Sequence, residues 1–165
     1  MTKTIILLCG KSGAGKDYIA KTLNLKMIVS HTTRKPRKGE MHGVDKWFHS
    51  EGLAKVNAED LTQVIAYTKR GRDEYWTTMY DLNSYGNVYI IDVPGIVYML
   101  KNPWIKQNGY DLKVMYIDTP LIKRIRNMRK REMRWRDILS RLILEIGTTV
   151  PLEDIPHQVI KIIKM

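Results

Sequence analysis

The chain is 165 residues long, 44% hydrophobic and 27% charged, which suits one globular domain with a sizeable core and excludes a fibrous or membrane-embedded class. A formal charge of +11 directs attention to anionic partners: nucleotides, nucleic acid or an acidic surface. Cys9 is the single cysteine, so no internal disulfide can form and a reducing cytoplasm is the expected compartment, while the opening apolar run is too short for a signal peptide.

In chain order, "TIILLC" (4–9) reads as a strand buried on both faces, with Cys9 a small core filler at its end. It runs into "GKSGAGKD" (10–17) and then the helical pattern "KDYIAKTL" (16–23). Strand, glycine-rich turn and helix in this order make a phosphate-binding loop. Gly10, Gly13 and Gly15 let the backbone turn, Lys11, Ser12 and Ala14 complete the ring of backbone N–H groups, and Lys16 meets the β- and γ-phosphates. Asp17 stands where a Ser or Thr hydroxyl is expected on Mg²⁺. It either holds the ion, directly or through water, or supplies only a negative charge at the helix N-terminus.

"KMIVS" (26–30) reads as a second strand, and residues 31–86 then break the rhythm: polar, rich in Thr, Arg, Gly and Tyr, with short strands at "KWFHS" (46–50) and "TQVIAYT" (62–68) and a brief helix near 51–56. Within this insert Arg34 and Arg37 bracket Pro36, and two guanidinium forks near one point suit a phosphate dianion. Beyond it, "NVYIID" (87–92) and "KVMYID" (113–118) are buried strands, and "PGIVYMLK" and "TPLIKRIRNM" are helices opening with Pro near the first turn. Leu139, Leu142, Ile143 and Ile146 recur at helical spacing and are expected to bury one helix face. The final "HQVIKIIKM" is a strand or a fraying end. Strands alternating with helices give an α/β fold with a parallel sheet, ligands binding beyond the strands' carboxyl ends. The four tryptophans default to packing roles, and His31, His42, His49 and His157 lack metal-ligand spacing, so no metal is assigned to them.

The string "SHTTRKPRKGEMHGVDKWF" (30–48) resembles the guanylate kinase signature S-x-T-T-R-x-P-R-x-G-E-x-x-G-x-D-Y-x-F, and the likeness continues in "RDEYWTTMYDL", "IIDVPGI", "YIDTPLIKRIRNMRKR" and "LSRL". The resemblance implies a P-loop NTPase core (1–30 and 87–165), a small nucleoside-monophosphate-binding insert at about 31–86, and a helical arginine-rich lid near 126–138. It implies ATP with Mg²⁺ at Gly10–Asp17, and an acceptor held by Ser30, Arg34, Arg37, Glu40, Lys46, Tyr75, Thr77 and Asp92. Arg129, Arg131 and Arg141 would join Lys16 and Arg34 over the migrating phosphoryl group. Three departures stand out: Lys46 replaces a phosphate-contacting tyrosine, Ala66 replaces a glutamate that reads guanine, and the region after the lid is short. Asp137 and Arg141 lie four apart and are an alternative exposed ion pair.

The implied reaction is phosphoryl transfer from ATP to GMP or dGMP. Alternatives are a broader deoxynucleotide or sugar-phosphate acceptor and a non-catalytic binding module. Nucleic-acid binding through residues 123–136 is set aside, because a kinase lid already accounts for the arginines there. Oligomeric state is open.

Overall fold

The computed structural model describes residues 3–22, 24, 26–55, 63–84, 86–131, 133–148, 155 and 160–165. Its first sheet is wholly parallel. Strand β1 (Thr4–Cys9) lies between β6 (Val88–Ile90) and β7 (Asp111–Asp118), and β8 (Ile160–Lys164) lies beyond β7, giving the order β6-β1-β7-β8. Ile5, Leu7 and Cys9 enter one apolar cluster and Leu8 the other, so alternate residues of β1 bury against opposite faces. That two-sided burial explains why β1 is a continuous apolar run.

A second sheet has the order β3-β2-β5-β4, built from β2 (His31–Thr32), β3 (Trp47–Phe48), β4 (Val64–Arg70) and β5 (Asp73–Thr78). Ile65 and Ala66 of β4 belong to the same apolar cluster as Ile5 and Leu7, so this sheet shares the core of the first. Helix α1 (Lys16–Thr22) follows the glycine-rich loop, and α2 (Met79–Ser84) follows β5. Helix α3 (Val93–Lys101) packs on β4. Asn102 then joins three elements: it follows α3, caps α4 (Pro103–Gln107) by accepting from Trp104 N, and donates to Val64 O. Helices α5 (Leu121–Lys130) and α6 (Trp135–Thr148) are the last two among the described residues.

Several sequence expectations need correction. "KMIVS" forms no strand; Met27 makes an isolated parallel bridge to Val88, and Ile28 N donates to Val88 O. The helix expected near 51–56 is a single 3-10 turn at Leu53–Lys55, with residue 56 outside the described residues. The final apolar segment pairs in parallel with β7 from Val114↔Ile160 to Asp118↔Lys164, so it is a strand of the main sheet. Helix α6 exists, but its apolar stripe is not buried: Leu139, Ile143 and Ile146 are 55%, 66% and 86% exposed. The inward positions of α6 are instead Ile138, which is fully buried, and the partly buried Arg141, Leu142 and Glu145. Trp76 is a core residue, stacked on His31 with centroids 5.4 Å apart, and Trp104 packs against Tyr110. No described helix is long and apolar enough to cross a membrane.

Candidate active site

The glycine-rich loop leaves β1 at its carboxyl end and is held from outside by α5 and the segment before it. Thr119 Oγ1 donates to Ala14 O at 3.0 Å, Arg124 Nε to Ser12 O at 2.9 Å and Asn127 Nδ2 to Gly13 O at 2.9 Å. Three successive carbonyls are thus fastened on one side, but the ring of N–H groups expected from the sequence is not all open: Ala14 N donates to Lys11 O at 3.1 Å and Ser12 N to Glu145. Glycine is required at two of these positions by contact as well as by φ. A Cβ on Gly13 (φ 76°) would stand 2.5 Å from Arg124 O, and one on Gly10 (φ 143°) 2.7 Å from Ile117 O.

Lys16 folds over this loop, donating to Gly10 O at 2.7 Å and Lys11 O at 3.2 Å. Burial pulls its ammonium down to about 8, with Asp17 opposing and Arg70 adding to the fall. Ser12 N donates to Glu145 Oε1, and the other oxygen of Glu145 is paired with Arg124. The Ser12 peptide is therefore gripped at both ends by a buried arginine on α5 and a carboxylate on α6.

In the connection after β2, Arg34 forks onto Glu40 at 2.9 and 3.1 Å, while Arg37 N donates to the same carboxylate at 2.8 Å. Glu40 therefore organises both arginines; burial alone would raise its carboxyl, but these bonds and charges bring it below the ordinary range. Arg34 Nε is buried without a hydrogen-bond partner. Lys46 Nζ donates to Ser30 Oγ at 2.5 Å, and burial, with Arg34 beside it, lowers its ammonium to about 8. Thr77 Oγ1 donates to Tyr89 OH at 2.6 Å in the interior, beside buried Ala66 on the apolar face of β4. Tyr75 stands on β5 opposite Thr32 and interacts electrostatically with both Arg37 and Arg141.

The segment from α5 to α6 carries the other cations. Arg131 follows α5 and its guanidinium bonds Asp17 Oδ2 at 2.7 Å, so this segment reaches across to the head of α1. Asp17 is drawn below the ordinary carboxylate range: burial, the largest single influence, would raise it, and the bond and charge of Arg131 together with the charges of Lys16 and Arg37 outweigh that. Arg129 is turned elsewhere, over the Trp135 ring at 5.1 Å and onto Met133 O. Asp137 pairs with Arg134 and Arg136, not with Arg141. Arg141 is half-buried and, among the described residues, bonded to no carboxylate, hydroxyl or carbonyl. Burial lowers its guanidinium, and of its charged neighbours Tyr75 opposes that while Arg34, Arg131 and Arg70 add to it.

Asp92 is the N-cap of α3, where Oδ1 accepts from Gly95 N at 3.0 Å and Oδ2 pairs with Arg70 Nε at 2.8 Å. Of the residues singled out from sequence, the structure gathers Lys16, Asp17, Arg34, Arg37, Glu40, Lys46, Tyr75, Arg131 and Arg141 into one charged cluster, and leaves Arg129 outside it. Sequence reasoning missed Arg70, Arg124 and Glu145. For Arg124 a signal existed: it lies one turn before Met128, and both are on the buried face of α5.

Comparison with known proteins agrees with this geometry. The family model described as guanylate kinase matches residues 1–133. The guanylate kinase of Rickettsia felis is 31% identical over 141 residues, covering 74% of this chain and 68% of that protein. That of Rickettsia prowazekii is 38% identical over 78 residues, and the matched stretch spans only 39% of its length. Among solved structures, the crystal structure of guanylate kinase from Anaplasma phagocytophilum shares the fold at a TM-score of 0.55 and 17% identity, covering 98% of this chain and 77% of that one. A glycine-rich loop with its lysine, an arginine pair in the β2–β3 connection, arginines on the α5–α6 side and a family match over most of the sequence agree: the chain belongs to the guanylate kinase family.

Proposed function

We propose that the chain transfers the γ-phosphoryl group of ATP to a nucleoside monophosphate, with GMP or dGMP as the first choice of acceptor. The observation that carries this reading is Arg141: a half-buried cation with no hydrogen bond or ion pair among the described residues, near enough to Tyr75, Arg34, Arg131 and Arg70 to interact with each electrostatically. An anion bound between such like charges would relieve their repulsion. The second sheet, within residues 31–86, is read as the acceptor-binding part, and residues 126–138 as a lid. The lone buried thiol suits a reducing, cytoplasmic setting.

In this reading an oxygen of the acceptor phosphate attacks the γ-phosphorus, and the bond from that phosphorus to the bridging oxygen of ADP breaks. The acceptor is already ionised, so no general base is needed, and alignment and charge neutralisation supply the catalysis. Lys16 and the loop N–H groups hold the donor phosphates. Arg34, Arg37 and Tyr75 hold the acceptor, with Glu40 fixing the two arginines. Arg131 and Arg141 cover the transfer path, and closure of the lid excludes water.

Asp17 suits a magnesium ion. Its Oδ1 takes no bond from the described residues, and one carboxylate together with nucleotide oxygens and water is a usual magnesium environment. A magnesium ion held by Asp17 would supply charge neutralisation for the donor's phosphates.

A broader acceptor range is favoured by two observations. Ala66 offers no polar side-chain atom to a base, and both oxygens of Asp92 are already engaged. A site without a matching hydrogen-bond partner rejects the wrong base poorly. Coupled ADP release with GMP, dGMP, AMP, CMP, dTMP and ribose bisphosphate tests both readings. Guanine-dependent turnover that is abolished by Lys16→Ala supports the first, and equal rates across bases support the second. No acceptor-dependent turnover with any of them overturns the kinase reading and leaves a binding module.

A further inference from the structure

The β4–β5 hairpin delivers to the site a residue that no motif contains. Arg70 ends β4, immediately before Gly71, whose φ of 62° makes the reversal into β5. Its Nε donates to Asp92 Oδ2 at 2.8 Å. Asp92 lies just past β6, and the register Leu8↔Ile90, with Ile91 N bonded to Leu8 O, puts it level with Gly10 where the phosphate loop begins. The cap bond from Gly95 N fixes the Asp92 carboxylate, which in turn fixes the plane of the Arg70 guanidinium. Only Nε is tied. Among the described residues the two terminal nitrogens of Arg70 have no partner, and the side chain is half-exposed toward the open side.

Arg70 also acts on the cations already placed at the site, lowering the ammonium of Lys16 and the guanidinium of Arg141. The Arg70 side of this pair is 48% exposed and the Asp92 carboxylate is already held by its cap bond, so holding the hairpin to the core is a poor reason to set another cation beside those two. A bound polyphosphate would turn that repulsion into attraction. A guanidinium anchored through Nε with its terminal nitrogens open is suited to forked binding of phosphate oxygens.

We propose that Arg70 is a phosphate-binding residue of the transfer site, acting between the Lys16 and Arg141 sides of the cluster, and that Asp92 is the positioning residue that aims it. The catalytic part of this assignment rests on the kinase reading above; the anion-binding part does not.

Arg70→Gln, Arg70→Lys and Asp92→Asn in the full chain test it through kcat, both KM values, melting temperature and calorimetric affinity for inorganic tripolyphosphate. Arg70→Gln is expected to lower kcat by about 100-fold, as loss of one donor to a developing charge does. Tripolyphosphate affinity should fall by about tenfold, the loss expected for one charge-assisted phosphate contact. Arg70→Lys, which keeps the charge and loses the fork, should fall between. Asp92→Asn preserves the helix cap and should lower kcat without lowering the melting temperature. A lower melting temperature in Arg70→Gln with kcat and tripolyphosphate affinity both unchanged would make Arg70 a strut and overturn the proposal. If the wild type turns over no monophosphate, the kinase reading fails separately, and equal tripolyphosphate affinity in wild type and Arg70→Gln would still overturn this one.

Discussion

Burial holds the ammonium groups of both Lys16 and Lys46 at about 8. Each is charged at neutral pH and loses its proton as pH rises through that value, so nucleotide binding should be coupled to proton uptake above it. The apparent KM for ATP and for the acceptor should both climb between pH 8 and 9.5, approaching about tenfold per unit where the charge is essential. Lys46→Met should abolish the acceptor's limb and leave that of ATP, which steady-state profiles would show. Asp17 presents a different residue-scale question, because its carboxylate carries Arg131 and also follows Lys16 at the head of α1. Asp17→Asn and Arg131→Gln should each reduce turnover, and the double variant should be no worse than the poorer single one; fully additive losses in that cycle would mean the pair does not act as a unit. If Asp17 also serves the ion, the magnesium concentration giving half-maximal rate should rise in Asp17→Asn and not in Arg131→Gln. Lys16 was legible from its motif alone. The ion pair of Asp17 was not, since its partner lies 114 residues away in the chain.

At the scale of elements, the clamp on Ser12 ties α5 and α6 to the phosphate loop. Arg124 is 5% exposed and keeps its charge by pairing with Glu145 and donating to Ser12 O. Removing one member of such a pair strands the other, so Glu145→Leu should cost roughly 3–5 kcal/mol in chemical denaturation. Arg124→Met combined with Glu145→Leu should recover a large part of that loss, while ATP affinity stays low because the loop is no longer held. Strands β1, β6 and β7 were readable as apolar runs because both faces of a parallel sheet are covered. Helix α6 was readable as a helix, yet its orientation was not. Hydrophobic periodicity marks a stripe, and here the inward side carries Ile138, Arg141 and Glu145 while Leu139, Ile143 and Ile146 face outward. The polar inward residues are engaged with the site, which periodicity alone cannot anticipate.

Across the whole molecule, the chain carries a net charge of +11, and Arg34, Arg70, Arg131 and Arg141 are among its cations that act on one another. A ligand-free cluster of this kind opposes its own folding, and neutralising Arg141 should show that directly. Arg141→Met is expected to raise the melting temperature of the ligand-free protein while lowering kcat/KM by about 100-fold or more. A variant that lost stability and kept its rate would identify Arg141 as structural. The sequence by itself determined the α/β class, the glycine-rich loop and the arginine string, because these depend on local spacing: a turn that needs glycines, a strand that needs two apolar faces, a segment stiffened by Pro36. Only the tertiary structure decided which charges meet. Glu40 ties Arg34 to Arg37, Asp92 caps α3 and pairs with Arg70, Glu145 grips Ser12, and among the described residues Arg141 is left without an anion. Electrostatic energy depends on separation in space, and residues distant in sequence acquire that separation only when the sheets and helices have packed.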